Sequence, residues 1–358
     1  MERKKNECEL LAPVGDFKML VAAVEAGADA VYFGLKEFSM RTNARNFTIG
    51  ELDKINKICK PKGVKKYLTL NVIVYDREIE KLEKVIKKVK GKIDAVICWD
   101  LAVINLCKKY KIPFHISTQA SVSNRESLKF YKRLGAERVV LARELDLKQI
   151  KALSKYIEIE AFVHGAMCVA VSGRCFMSQH LFGRSANRGE CTQVCRRAYT
   201  KIEGRNRDPR YVDTVVRVYR KALDLKRPLS ERDIEESLKE LEKVYNRGFS
   251  SGFYFGTPTS DDFAKAEHSA ATERKHFVGK ILHYYPKIGV GTIKLVSSVK
   301  LGDKINIMGN TTGIRKFVVE SMEINGKKVG DAKKGEEVAI KFNERVRKND
   351  EVYVIYKK

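Results

Sequence analysis

The sequence has no long hydrophobic run. Its 358 residues contain no stretch of about 18 uncharged apolar residues, the length that a membrane-spanning helix needs. The residues that follow Met1 are charged and lead into a strand-like run, without the apolar core of a signal peptide. We therefore expect a cytoplasmic protein with no membrane partner.

Several familiar functional patterns are also missing. No G-x-G-x-x-G follows the first predicted strand, which argues against a dinucleotide-binding fold. No H-E-x-x-H is present, so a zincin-type peptidase is not indicated, and the sequence suggests no obvious catalytic triad. No C-x2-C pair occurs among the eight cysteines, although structural zinc sites usually contain such pairs.

Acidic residues are scarce relative to basic ones. The chain has 45 Asp and Glu against 70 Lys and Arg, which gives a formal net charge of +25. An excess of this size favours a polyanionic partner, and tRNA or another RNA is the first candidate. The alternative is a lysine-rich solvated surface of the kind found in proteins from hot environments. Charge alone does not separate the two.

The first two hundred residues alternate between short β-branched runs and charged helical segments. The strand-like runs recur at roughly 20 to 35 residues, the length of a βα unit. Eight such units favour a (β/α)8 barrel over an open doubly wound sheet. The predicted strands are Glu9–Val14, Ala30–Phe33, Tyr67–Val74, Ala95–Trp99, Phe114–Ser117, Arg138–Ala142, Glu158–Val163 and one near Thr200–Glu203. The predicted helices include Asp16–Ala26, Glu78–Val89, Leu101–Tyr110 and Asn124–Leu134, with Gly27, Gly63 and Gly135 at C-cap positions.

The sequence predicts three regions. Residues 1–225 form the barrel, and residues 226–272 form a connection with an amphipathic helix over Arg232–Tyr245 and a glycine-rich aromatic loop over Gly248–Gly256. Residues 273–358 have short alternating runs separated by turns, a pattern typical of a small antiparallel β-barrel. Such a barrel can bind RNA or serve as a structural lid.

Polar residues follow several predicted strands at the C-terminal end of the barrel, where active sites of this fold lie. Asn71, Asp100, Gln119, Arg143 and His164 are in such positions. Each could instead cap a helix or lie in a loop without touching a substrate.

Four of the cysteines fall within 28 residues, at Cys168, Cys175, Cys191 and Cys195. Disulfides are not expected in the cytoplasm, and four thiolates suit zinc or an iron–sulfur cluster. The spacings of six, fifteen and three intervening residues lack a zinc knuckle, so we favour the cluster. The remaining cysteines are scattered, and Cys98 and Cys107 are most simply core residues.

The segment from Cys168 to Arg220 contains ten Arg but one Lys, whereas the rest of the chain is rich in Lys. Arg makes planar, bidentate contacts with carboxylates and phosphates, which predicts an anionic ligand. Some of these side chains could instead pair with Glu190 or Glu203. The candidate anion-binding residues are Arg174, Arg184, Arg188, Arg196, Arg197 and Arg205.

Long motifs of the chain resemble the signature of peptidase family U32. The resemblance covers nearly the whole chain, including the predicted C-terminal barrel. The matching segments are Leu11–Asp16, Ala28–Gly34, Glu160–Cys168, Ser172–Ser178, Asn187–Cys191, Cys195–Arg197, Lys201–Arg205 and Phe253–Gly256.

The resemblance implies an activity and a cofactor. The family is named for collagenase-like proteases, but its better understood members hydroxylate RNA or ubiquinone precursors, carry a 4Fe-4S cluster and use prephenate as the implicated hydroxyl donor. It implies the same cluster on Cys168, Cys175, Cys191 and Cys195, and an anionic small-molecule donor. Our candidate catalytic residues are His164, Asn71, Gln119 and Glu203.

The chain departs from the family at one place. In the family a long stretch separates the Cys-Arg-Arg-x-Tyr motif from Lys-Ile-Glu-Gly-Arg, whereas here Tyr199 and Thr200 run directly into Lys201. The missing stretch should hold a helix before the last barrel strand.

Three functions remain open from the sequence. The favoured one is an enzyme that hydroxylates a tRNA uridine. The second is a peptidase, for which Cys168 beside His164 is a conceivable nucleophile. The third is a non-catalytic RNA-binding protein, which would leave the four clustered cysteines unexplained.

Overall fold

The computed structural model describes most of the chain. The described residues are 8–40, 45–165, 170, 175, 177–191, 208–225, 227–246, 248–251, 253–256 and 269–357. Within these residues, none of the helices combines the length and the apolar character needed to cross a membrane.

Seven parallel strands form the sheet of the N-terminal region, and each pairs with the next in chain order. This TIM-like arrangement confirms the predicted fold class, while the eighth strand, expected near residues 200–203, lies outside the described residues. The strands are β1 (Leu11–Pro13), β2 (Ala30–Gly34), β3 (Lys65–Thr69), β4 (Ala95–Cys98), β5 (Phe114–Ile116), β6 (Arg138–Val140) and β7 (Glu158–Glu160).

Six of the seven strands end before their predicted last residue. The difference is largest for β3 and β7, where side chains of other elements bind the backbone beyond the strand. After β3, the carbonyl of Asn71 accepts a 2.9 Å hydrogen bond from the indole of Trp99. After β7, the carbonyl of Val163 accepts a 2.8 Å hydrogen bond from the hydroxyl of Tyr219. These residues therefore leave the sheet and form the barrel mouth, the face at the C-terminal ends of the strands.

Helices alternate with the strands and begin at the caps that the sequence provides. Asp16, Asp100 and Asn124 each accept a hydrogen bond from the first turn of a helix, and Gly27 and Gly135 end helices in the left-handed conformation, as predicted. The helices are α1 (Phe17–Ala26), α2 (Leu52–Cys59), α3 (Ile79–Val89), α4 (Leu101–Tyr110), α5 (Arg125–Leu134), α6 (Leu147–Leu153), α7 (Met177–Phe182), α8 (Pro209–Asp224) and α9 (Glu231–Glu242).

A charged network fills the barrel at the N-terminal ends of its strands. The guanidinium of Arg138, on β6, lies 2.7 Å from a carboxylate oxygen of Glu9, which precedes β1, and also contacts Glu158 on β7. The hydroxyl of Tyr67, on β3, donates to Glu9 at 2.8 Å. Because groups beside the first, third, sixth and seventh strands meet, the sheet must curl round on itself.

The C-terminal region is an antiparallel sheet of eight strands in the order β12-β11-β17-β8-β9-β16-β13-β14, with β10 and β15 as a separate pair. Buried residues such as Val278, Ile305, Phe317 and Val338 form one core inside it. Its strands are β8 (Glu273–Tyr285), β9 (Val290–Leu295), β10 (Val299–Lys300), β11 (Lys304–Gly309), β12 (Gly313–Val318), β13 (Met322–Ile324), β14 (Lys327–Lys328), β15 (Asp331–Ala332), β16 (Glu337–Lys341) and β17 (Glu351–Lys357).

The C-terminal sheet packs against helix α1 of the barrel. Ala22 is buried with Met308 and Ile314 in a small apolar cluster. The ammonium of Lys18 lies 2.6 Å from Glu351, which ties the same helix to β17. Gly313 permits the close approach, since a Cβ at this position would lie 2.7 Å from a methyl carbon of Val21.

Candidate active site

A buried amide and a half-buried amide lie together at the barrel mouth. Asn71 follows β3, is only 6% exposed, and donates from Nδ2 to Oε1 of Gln119 at 3.4 Å. Gln119 lies in a 3-10 turn after β5, and the hydroxyl of Ser117 also donates to its Oε1. The backbone N–H of Met40 donates to Oδ1 of Asn71 at 3.2 Å. The fold thus brings together two of the predicted catalytic residues, although their roles stay predictions.

The loop after β3 is fixed by the end of β4. Besides the indole of Trp99, the carboxylate of Asp100 accepts the N–H of Val74 at 3.0 Å. The other oxygen of Asp100 caps α4 through the N–H of Ala102 at 2.9 Å. Asp100 therefore acts as a structural link between two loops of the mouth.

The cysteine-bearing segment 175–191 is fastened to this same loop. Oδ1 of Asn187 accepts the N–H of Cys175 at 3.0 Å, and the carbonyl of Asn187 accepts the N–H of Ile73 at 3.4 Å. Arg188 binds Glu78 at 2.9 Å, contacts the carbonyl of Ile73, and stacks 4.5 Å above the ring of Tyr75. The segment is therefore attached to the mouth two residues from Asn71.

Cys175 and Cys191 are both partly buried. Cys168 and Cys195, the other two predicted ligands, lie outside the described residues. Within the described part of the chain, no three His, Cys, Asp or Glu side chains are close enough together to hold a metal ion. Two soft thiol donors on one anchored segment fit an iron–sulfur ligand set, and the cluster stays a prediction.

The predicted anion-binding arginines have different outcomes. Arg184 is exposed at the mouth. Arg188 already has a partner: burial alone would raise the pKa of Glu78, but the Arg188 hydrogen bond lowers it below the ordinary value. In the structure Arg188 anchors the cysteine-bearing segment. Its role in binding an anion stays a prediction. Outside the described residues lie Arg174, Arg196, Arg197, Arg205 and the candidate catalytic Glu203.

His164 lies in an aromatic cluster at the end of β7. Its ring is 5.8 Å from that of Tyr211 and 5.7 Å from that of Tyr219, both on α8, and 6.3 Å from that of Phe249. Nδ1 is 3.4 Å from the hydroxyl of Tyr219. Burial lowers the pKa of His164 to about 4, so the imidazole is neutral at pH 7. It can accept a hydrogen bond there, but its lowered pKa makes it a weak base.

The glycine-rich aromatic loop docks on the mouth. The hydroxyl of Tyr254 donates to the carbonyl of Phe162, and its own carbonyl accepts the N–H of Leu147 at 3.2 Å. The same loop contains a G-x-S-x-G spacing centred on Ser250. A nucleophile elbow needs a strand that turns into a helix, whereas the described part of this loop follows α9 as exposed coil. The spacing therefore does not indicate a serine hydrolase.

Sequence reasoning missed helix α8, which supplies the partners of His164. Its start was readable, because Asp208 is an N-cap whose side chain accepts the N–H of Tyr211, and Pro209 occupies the first helical turn. The contacts of Tyr75 and Glu78 with Arg188 had no signal in the sequence, since they join residues more than a hundred positions apart.

The fold and this mouth define a TIM-like barrel enzyme with a cysteine-bearing segment at its active-site face. The model of peptidase family U32 matches residues 15–201 and 198–263. An uncharacterized protease of Methanocaldococcus jannaschii is 39% identical over 97% of this chain and 98% of its own length. This chain belongs to peptidase family U32.

Two further relatives have different names. A collagenase of Porphyromonas gingivalis is 37% identical over 97% of this chain and 98% of its own length. The tRNA hydroxylation protein P1 of Bacillus subtilis is 34% identical over 84% of this chain and 83% of its own length. The family therefore includes proteins named for proteolysis and for RNA hydroxylation.

The comparisons also bear on the shortened motif spacing. The two matches to the family model meet at residues 198–201, and the alignment with the Methanocaldococcus protein spans 399 positions, more than the 358 residues of this chain. That relative therefore contains residues without a counterpart here. The break in the family match falls where Tyr199 and Thr200 run into Lys201.

Proposed function

We propose that this chain is an iron–sulfur-dependent enzyme that hydroxylates a uridine of tRNA, with prephenate as the hydroxyl donor. The observation that carries the proposal is the attachment of the cysteine-bearing segment to the loop after β3, because its contact with Ile73 lies two residues along the chain from Asn71. The similarity to a tRNA hydroxylation protein and the net charge of +25 support the choice of substrate.

The four clustered cysteines would hold a 4Fe-4S cluster, with Cys175 and Cys191 as its ligands in the described part of the chain. When bound, the cluster would supply redox or Lewis-acid chemistry. The thiols suit this role because they are soft donors and are only partly buried.

The residues of the mouth would bind and orient the base. Asn71 and Gln119 carry amides that donate and accept hydrogen bonds, as the edge of a flipped pyrimidine requires. His164 would accept a hydrogen bond as a neutral imidazole. Arg184, exposed at the same face, would contact the phosphates of the RNA or the carboxylates of the donor.

The first experiment tests the cluster. Protein purified without oxygen should be brown and contain about four irons per chain. Cys175→Ser should lower the iron content sharply, whereas Cys59→Ser, a buried thiol of α2, should leave it unchanged. Stoichiometric zinc without iron would contradict the cofactor assignment.

The second experiment tests the reaction. The iron-loaded protein is incubated with unmodified tRNA and prephenate, and the nucleosides are analysed by mass spectrometry. We expect 5-hydroxyuridine only when prephenate is present, and a loss of product in Asn71→Ala with the iron content preserved. Unchanged nucleosides under these conditions would refute the proposed reaction.

Peptidase activity is the second candidate, favoured by the similarity to a collagenase. His164 and Cys168 follow the same strand in sequence and are the candidate base and nucleophile, although the lowered pKa of His164 makes it a weak base. The same preparation is therefore incubated with denatured collagen. Proteolysis that disappears in Cys168→Ser, together with unchanged tRNA nucleosides, would establish this candidate instead.

A further inference from the structure

A groove connects the barrel mouth with the C-terminal sheet. Its first part is a cavity of about 340 Å³ between the start of α8, the residues that follow α9 and the start of β8. Its second part, of about 560 Å³, lies between the same helices and the strands β11, β12 and β17. Both cavities are lined by Arg210, Lys243 and Glu273, so they adjoin.

The groove begins next to the candidate active site. Tyr211 lines the first cavity, and its ring lies 5.8 Å from that of His164. His164 contacts α8 at two places, since the hydroxyl of Tyr219 also lies 3.4 Å from its Nδ1, and the cavity adjoins the Tyr211 contact, at the start of the helix. A strand of RNA whose target base enters the mouth can therefore continue along the start of α8 toward the C-terminal sheet.

Lysines line the far part of the groove. Lys304 on β11, Lys316 on β12 and Lys341 at the end of β16 are all exposed there. In the register of β11 and β12, Lys304 is opposite Val318 and Asn306 is opposite Lys316, so both lysines project from one face of the sheet. Exposed lysines that line one groove suit an extended polyanion.

Most of the other charges of the groove already have partners. Arg210 pairs with Glu273, Lys243 pairs with Glu240, and Lys316 lies 2.9 Å from Asp213. Glu320 also lines the groove and is exposed. None of the ion pairs found among the described residues involves Lys304 or Lys341. These two lysines are therefore available to a ligand.

We propose that this groove holds the phosphate backbone of the RNA substrate away from the modified base, with Lys304 and Lys341 as its phosphate contacts. The inference rests on the proposed function and assigns the C-terminal sheet to substrate binding. It gives the exposed lysines of the C-terminal sheet a role in binding the substrate, although this sheet carries none of the candidate catalytic residues. A short RNA that carries only the target loop would not reach these lysines, whereas an intact tRNA would.

The test compares two double variants with the same change of charge. Lys304→Glu/Lys341→Glu alters the groove, and Lys328→Glu/Lys334→Glu alters exposed lysines elsewhere on the C-terminal sheet. Each iron-loaded protein is assayed with intact tRNA and with a hairpin that contains only the target loop and its stem. Binding of both RNAs is measured against salt concentration, and circular dichroism and iron content report folding.

For the groove variant we expect the KM for intact tRNA to rise roughly tenfold or more, with kcat unchanged at saturation. The slope of log affinity against log salt should fall by about two, because two phosphate contacts are lost. The KM for the hairpin should stay the same within about twofold. The control variant should show a smaller effect on intact tRNA.

Two results would overturn the inference: equal losses in the groove and control variants, or equal losses with intact tRNA and with the hairpin. The failure of the proposed function has a different signature. If the wild-type protein modifies neither RNA but binds tRNA, and the groove variant lowers the salt slope, the reaction is wrong and the groove stands. Absence of salt-dependent binding to tRNA would refute both.

Discussion

Replacing Arg138 by Met should destabilise the protein, because Arg138 is the cation that several carboxylates of the barrel share. Its side chain is only 7% exposed and lies 2.7 Å from Glu9, in contact with Glu158 and 3.8 Å from Glu160. Methionine has a similar length and fills the space without a charge. The substitution therefore leaves buried carboxylates without their main cation.

The expected loss follows from that geometry. Removing one partner of a buried ion pair costs about 3–5 kcal/mol. Glu9 keeps hydrogen bonds from Lys65 at 2.7 Å and Tyr67 at 2.8 Å, so we expect a value of about 3 kcal/mol at pH 7, near the lower limit of that range. Changing Glu9 to Gln in the same variant should restore part of the loss, since the double variant has one fewer unpaired charge.

The loss should depend on pH. Burial alone would raise the pKa of Glu9, but hydrogen bonds from Arg138 and Lys65 lower it from 4.5 to about 2. A lowered folded-state pKa contributes stability above pH 4.5 that disappears as the pH falls toward 2. Without Arg138 this contribution is lost. The difference in the free energy of unfolding between wild type and variant should therefore be largest at neutral pH and become smaller below about pH 5.

The assay is guanidinium unfolding followed by circular dichroism at several pH values between about 2.5 and 8, which covers the range in which the Glu9 contribution is lost. The control is Arg125→Met, which removes the exposed pair between Arg125 and Glu126 and should not change the free energy of unfolding. An Arg138→Met variant that unfolds like the control, or whose loss is the same at every pH, would refute this account of barrel closure.

Three further predictions concern single positions. Burial raises the pKa of Glu160 from 4.5 to about 7, so the fold favours the neutral form of Glu160 and loses stability as the pH rises through 7. In the same assay, Glu160→Gln should unfold like wild type at pH 4.5 and be more stable by roughly 1–3 kcal/mol at pH 8. Gly313→Ala should lower the free energy of unfolding by about 2–4 kcal/mol, because φ is +65° and the new Cβ would meet Val21. Gly326→Ala, where φ is +75° but the space is open, should cost less, and equal losses would exclude a role of the close approach. Arg188→Lys keeps the charge but loses the fork that binds Glu78 and Ile73, so hydrogen exchange at residues 177–191 should quicken and turnover should fall, and the exposed Arg184→Lys should leave the exchange unchanged.

The sequence by itself determined the alternation of elements. Period and capping residues are local signals: Gly27 and Gly135 are C-caps as predicted, and the helices predicted to start at Asp16 and Asn124 are capped by these residues. The parallel order of the strands followed from their spacing, since βα units of this length place consecutive strands side by side. The amides Asn71 and Gln119 could be selected because strand ends of such a barrel converge on one face.

Only the tertiary structure decided which groups touch. The ion pair of Arg188 with Glu78, the aromatic surroundings of His164 and the adjoining cavities beside α8 all join residues distant in sequence. The same holds for the closure of the barrel through Arg138 and Glu9. A charged side chain gives no local sign of its partner, because the pairing depends on the packing that brings two segments together and on the burial that makes an unpaired charge costly.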